Sequence, residues 1–266
     1  MKPSVLIAAG CSWVAGRAID IDPLDTTFNL DHVEDPAVVE QYSFAGILQR
    51  RLELDQLYFT ASNASNNETQ VRKIIDFIER NKDNYSRIFV LWGLTSVYRW
   101  EMYSATTGSI EPCVLGRKYT GGLKDEVQFY FKHLWNKDHM LEKLGNHVVT
   151  LNAYLNQQSI EHLFFNAFQG YTNQELKINT IDDGVFYRVK ETNNDMLSYL
   201  CVKHNVKPST SSVPWLNLLR PKIEMAYPNR AIKELQSQGA LDCATAHPTI
   251  KAHAAIAEEL YNYIRG

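Results

Sequence analysis

The chain has 266 residues, 45% hydrophobic and 21% charged, with a net charge of −3 at neutral pH. This composition fits a globular protein with a full core, and the slight acidity gives no footing for nucleic acid or an anionic membrane as partner. The four cysteines (Cys11, Cys113, Cys201, Cys243) have no paired or zinc-type spacing, the N-terminus carries no cleavage-site pattern, and no apolar run approaches bilayer length. The expectation is therefore a cytoplasmic protein with reduced thiols and no metal.

The first element is Val5-Leu6-Ile7-Ala8-Ala9, an apolar run without polar alternation, as expected of a parallel strand buried on both faces. Gly10-Cys11-Ser12-Trp13 follows as a small-residue turn. An acidic, proline-broken segment from Arg17 to Tyr42 reads as a solvated loop, because it lacks the spacing of a calcium loop. Tyr42 to Leu52 has helical periodicity. Leu57-Tyr58-Phe59-Thr60 reads as a second strand. It leads through a loop rich in small and amide residues into a helix from about Glu68 to Asn81, capped by Asn66 or Asn67.

Arg87 to Trp92 is the clearest strand and ends in Gly93-Leu94-Thr95-Ser96. Three successive strand–turn–helix units argue for a doubly wound parallel sheet. Glycines interrupt the pattern between residues 102 and 138, which reads as an insertion. A long helix is expected from Met140 to Gln157 and a fourth strand from Ile160 to Phe168. A second insertion spans about residues 170–241, with Val185 to Val189 as a candidate strand, Met196 to His204 as a helix and Val213 to Leu219 as a partly apolar helical turn. Thr249 to Arg265 closes the chain as an amphipathic helix. The expected architecture is one domain over residues 1–266, a three-layer α/β/α sandwich on a mainly parallel sheet.

Two stretches carry the chemistry. Ser12 follows the first strand, on the edge where open α/β sheets bind and react. His247, in Asp242-Cys243-Ala244-Thr245-Ala246-His247-Pro248, stands just before the last helix. A serine and a histidine in these positions resemble the SGNH/GDSL hydrolase superfamily, whose site is assembled from short sequence blocks.

The resemblance implies that Ser12 is the nucleophile and that its backbone N–H is an oxyanion donor, with Gly10-Cys11-Ser12 standing where Gly-Asp-Ser is usual. Superfamily members encoded by tailed phages often read Gly-Cys-Ser followed by an aromatic residue, as Trp13 does here. Asn63-Ala64-Ser65-Asn66 matches the second block with Asn63 in place of its glycine. In the third block Thr95 takes the position of the oxyanion asparagine. His247 fits the general base. The usual acid three residues earlier is replaced by Ala244, which leaves Asp242. Either Asp242 reaches the imidazole through a longer loop, or a backbone carbonyl orients the ring. His253 is read as structural, and Arg99 with Glu101 either as lining of the site or, by default, as a surface ion pair.

The implied activity is cleavage of a small-molecule or carbohydrate ester, needing no cofactor, in a host-cytoplasmic or virion setting if the chain is phage-encoded. Two rival readings remain: a non-catalytic binding protein on the same fold, and a flavodoxin-like phosphate-binding module. The latter lacks both the G-x-x-x-x-G-K-[ST] loop and the G-x-G-x-x-G turn.

Overall fold

The computed structural model describes residues 1–17, 19–20, 34–62, 65–114, 117–181, 183–207, 230–243 and 246–266. Strand β1 (Ser4–Ala9) is followed by helices α1 (Pro36–Tyr42) and α2 (Phe44–Arg51), then by β2 (Gln56–Phe59) and α3 (Asn67–Asn81). Next come β3 (Arg87–Leu94), the hairpin strands β4 (Arg99–Ser104) and β5 (Ser109–Val114), and helices α4 (Gly121–His133) and α5 (Lys137–Gln157). Strand β6 (Glu161–Asn166) precedes α6 (Asn173–Leu176), α7 (Met196–Lys203), α8 (Arg230–Ser237) and α9 (Ile250–Arg265).

The main sheet has the order β2-β1-β3-β6, and every pairing in it is parallel. Strands β1, β3 and β6 are buried on both faces along nearly their whole length, whereas the edge strand β2 leaves Gln56 and Tyr58 exposed. Leu6, Ala8, Phe89, Leu91, Leu163 and Phe165 pack into one core with residues of α2, α7, α8 and α9. The alternate residues Val5, Ile7, Ala9, Val90, Trp92 and Phe164 pack into a second core with α3 and α5. The period-2 geometry of a strand thus divides one apolar run between two cores. The result is the expected three-layer α/β/α sandwich.

Strand order reverses between β1 and β3. The chain steps from β1 to β2 on one side and returns to place β3 on the other. The crevice outside the carboxyl ends of β1 and β3 is therefore the topological switch point, where sheets of this kind bind ligands.

The insertion expected over residues 102–138 opens inside a hairpin: β4, which already starts at Arg99, and β5 form a separate antiparallel pair in which Trp100 faces Cys113, both buried. The strand expected at Val185 to Val189 is replaced by a single parallel bridge between Phe186 and Phe164. Only Phe164 N–H to Val185 and Tyr187 N–H to Phe164 secure it, too little for a ladder. The expected turn at Val213 to Leu219 lies outside the described residues.

Candidate active site

Ser12 sits in a tight turn because β1 ends in a glycine whose conformation and surroundings leave no room for a Cβ. Gly10 has φ of +147°, and a Cβ there would lie 2.5 Å from Val14 Cγ2 and 2.7 Å from the Gly93 carbonyl oxygen. Gly93, in β3, is confined from the other side: its Cβ would meet Val14 Cγ2 at 2.6 Å and the Phe165 ring at 2.7 Å. Val14 wedges into this gap. The turn is closed by the N–H groups of Val14 and Ala15, both donating to the Cys11 carbonyl at 3.0 Å. The exits of β1 and β3 therefore touch, and Ser12 is held beside them, 8% exposed.

His247 reaches the same place from the far end of the chain. Its Nε2 lies 2.8 Å from Ser12 Oγ, the geometry of a serine nucleophile beside its base. The loop carrying it is tied to Asp242. The Asp242 carboxylate (Oδ2) accepts the His247 backbone N–H at 2.7 Å, and the Asp242 N–H donates to the His247 carbonyl at 2.9 Å. Ala246 N–H donates to the Asp242 carbonyl at 3.2 Å, which requires a left-handed Ala246 with φ of +57°. Gln236 Nε2 adds donations to the carbonyls of Asp242 (2.8 Å) and Cys243 (3.3 Å). Thr249 caps α9 and fastens its start to the carbonyls of Gly239 and Ala240.

His253, one turn into α9, is fully buried and packs on Phe44 rather than on Ser12. Its Nδ1 accepts the Phe44 N–H at 3.2 Å, and the ring stacks on Phe44 at 5.5 Å. Burial, with His247 nearby, lowers its pKa to about 3.

Thr95 follows β3 and is fully buried. Its backbone is bracketed by Asn67, which accepts its N–H at 2.9 Å and donates to its carbonyl at 2.8 Å. The Thr95 hydroxyl has no hydrogen-bond partner among the described residues. Asn63 lies outside the described residues. At the other end of that loop Asn66 is the cap of α3, accepting from the Thr69 N–H at 2.8 Å.

Arg99 and Glu101 do not pair. Glu101 is taken by α3, bonding to the Thr69 hydroxyl at 2.6 Å and to the Arg72 guanidinium, because β4 packs on that helix. Arg99 instead lies over the Phe168 ring at 5.1 Å, and Phe168 packs on Trp13 at 6.0 Å. An aromatic and cationic wall thus begins at the residue next to Ser12. A large open groove of about 740 Å³ lies at the opposite end of the sheet, lined by Phe89, Glu161, His162, Val185 and Tyr263 among others, and includes neither Ser12 nor His247. Among the described residues no cluster of three His, Cys, Asp or Glu side chains could hold a metal ion.

Sequence reading took Asn67 only as a candidate cap, a place Asn66 holds, and did not single out Gln70 or Tyr171. Tyr171 is buried, takes the Val97 N–H at 2.9 Å and donates to the Thr95 carbonyl at 3.4 Å. The available signal for Asn67 and Gln70 was amides at i and i+3 on the buried side of α3, in line with Val71, Ile74 and Ile78.

No protein-family model matches the chain, and no curated protein matches it. Solved structures resemble it, two of them as follows. One is the psychrotrophic esterase EstA from Pseudoalteromonas sp., in a form inhibited by monoethylphosphonate. It is 11% identical with a TM-score of 0.38, over 99% of this chain and 97% of that one. Another is a protein from Desulfitobacterium hafniense DCB-2 assigned to the G-D-S-L lipolytic family. It is 10% identical with a TM-score of 0.38, over 98% of this chain and 99% of that one. Likeness at this level leaves the chemistry to be argued from the chain's own geometry.

Proposed function

We propose that the protein is a serine ester hydrolase of SGNH type, acting on a small-molecule or carbohydrate ester. The observation that carries this reading is the 2.8 Å separation of Ser12 Oγ and His247 Nε2 at the switch point of the sheet. With its own hydrogen on Nδ1, the imidazole accepts the serine proton at Nε2 as Oγ attacks the ester carbonyl. The same nitrogen then returns the proton to the leaving alcohol. Water repeats the sequence in reverse roles on the acyl-serine and releases the acid.

The developing oxyanion is assigned to the backbone N–H of Ser12, to Asn63 and to Thr95. Support for Thr95 is that its backbone is pinned while its hydroxyl bonds to none of the described residues. Asp242 is assigned the role of steadying His247, and its support is the hold it has on the His247 backbone rather than on the ring. The phage-type first block, with the host-cytoplasmic or virion setting it implies, belongs to the same proposal.

The test is hydrolysis of small activated acyl esters together with labelling by a serine-directed phosphonate. Both are expected in the parent, and in Cys11→Ala if that variant remains folded, and both are expected to vanish in Ser12→Ala. Equal labelling of Ser12→Ala, or none in the parent, would make a non-catalytic ligand-binding protein the better account.

A further inference from the structure

The first turn of α3 carries two buried amides, and their hydrogen bonds run to the strand exits on which the candidate site is built. Gln70 is fully buried. Its Oε1 accepts the Gly10 N–H at 3.1 Å and the Thr60 hydroxyl at 2.9 Å. Its Nε2 donates to the Thr60 carbonyl at 3.1 Å and to the Ser65 hydroxyl at 2.5 Å. One side chain therefore joins the exit of β1 two residues before Ser12, the exit of β2, and the loop leading into α3. Three residues earlier, Asn67 exchanges both of its bonds with the backbone of Thr95 at the exit of β3.

Helix packing alone does not call for these residues. The cap is already supplied by Asn66. Further along, the buried face of α3 is Val71, Ile74, Phe77 and Ile78, and an apolar residue at 70 would extend that stripe without burying an amide. What the amides add is direction. Each has its donor and acceptor used, so the side chain can sit in only one orientation, and the backbone groups it holds are fixed with it. The exits of β1 and β3 are the segments whose mutual placement an oxyanion site depends on, and misplacement by about 1 Å can cost roughly a hundredfold in rate.

We propose that Gln70 and Asn67 are positioning residues: through them α3 sets the placement of the Ser12 turn against the Thr95 turn. The kinetic consequence rests on the hydrolase reading, whereas the structural consequence does not. Two measurements therefore accompany each other. One is steady-state ester hydrolysis. The other is hydrogen exchange at the Gly10 and Thr95 amides, followed by NMR.

Gln70→Met and Asn67→Leu are expected to lower kcat by about a hundredfold with KM within about threefold. Gln70→Glu and Asn67→Asp keep the acceptors for Gly10 and Thr95 and are expected to recover about tenfold of that loss. Ile74→Val, on the same buried face, should lower the melting temperature while leaving kcat unchanged. Exchange is expected to accelerate at Gly10 in Gln70→Met and at Thr95 in Asn67→Leu, and at neither in Ile74→Val. Unaltered exchange at both amides overturns the proposal. So does accelerated exchange with kcat unchanged in an active parent, or a kcat loss in Ile74→Val as large as in the amide variants. A parent without Ser12-dependent turnover removes the hydrolase reading instead, and exchange alone then decides whether the two amides hold the turns.

Discussion

Ser12 Oγ and His247 Nε2 are 2.8 Å apart although 235 positions separate them in the chain. Each is delivered by its own anchor: the Gly10–Val14–Gly93 contact for the serine, and the Asp242 bonds for the histidine. The proximity therefore depends on the closure of the whole sheet, and a variant that loosens either anchor should separate the pair before the protein unfolds.

The Asp242 bond to the His247 backbone distinguishes two roles for the carboxylate. Asparagine retains an oxygen that can accept the His247 N–H, whereas alanine leaves that N–H without its acceptor. Asp242→Asn is expected to keep turnover within about tenfold of the parent, where loss of a conventional triad acid costs roughly ten-thousandfold. Asp242→Ala should destabilise the fold by about 1–3 kcal/mol, and His247→Ala should abolish turnover. Ester hydrolysis and urea denaturation of the three variants check this; an Asn variant as inactive as His247→Ala would make Asp242 a full triad acid.

Gly10→Ala should fail on two counts. The backbone at φ of +147° is strained for any residue with a Cβ, and that Cβ would press on Val14 and on the Gly93 carbonyl. The expected destabilisation is about 2–5 kcal/mol, read from the denaturation midpoint. A fully stable Gly10→Ala variant would contradict the close approach of the two strand exits.

Ala246 holds a left-handed conformation one residue before His247. Glycine adopts it without the Cβ penalty, so Ala246→Gly is expected to be neutral or stabilising by up to about 1 kcal/mol. Val at the same position should be destabilising. Thermal denaturation of both variants tests the backbone geometry that aims the imidazole.

His253 makes the fold sensitive to acid. Its pKa is about 3 in the folded chain against 6.5 ordinarily, so between those values the unfolded chain binds the proton first. The stability it contributes is complete above about pH 6.5 and is lost as pH falls toward 3, by up to about 1.4 kcal/mol per pH unit. His147 and His162, also lowered by burial, act in the same direction. Denaturation at several pH values from 7.5 to 4.5 should give a shallower slope for His253→Gln than for the parent. Its absolute stability will also fall, since the stack on Phe44 is lost.

The parallel strands were legible because burial on both faces leaves a run of apolar residues with no polar alternation, as in β1 and β3. Ser12 and His247 were legible by position, one after the first strand and one before the last helix. Asn67 and Gln70 were not, because amides at the start of a helix read as caps, and only the fold reveals that they face three strand exits. Arg99 and Glu101 looked like a pair because they are close in sequence, but Glu101 is claimed by α3, which sequence separation hides. The strand expected at Val185 to Val189 has the right residue types and only one bridge, since a strand is defined by its partner as much as by its composition.

The bonds between Asp242 and His247 couple the two residues mechanically. Leu241 and Pro248 pair across the base of this loop, and Asp242 and His247 close it at both backbone and side chain. The segment behaves as a cassette whose ends are fastened to each other. A displacement of Asp242 is therefore carried to His247, and the ring keeps or loses its aim at Ser12 together with the aspartate.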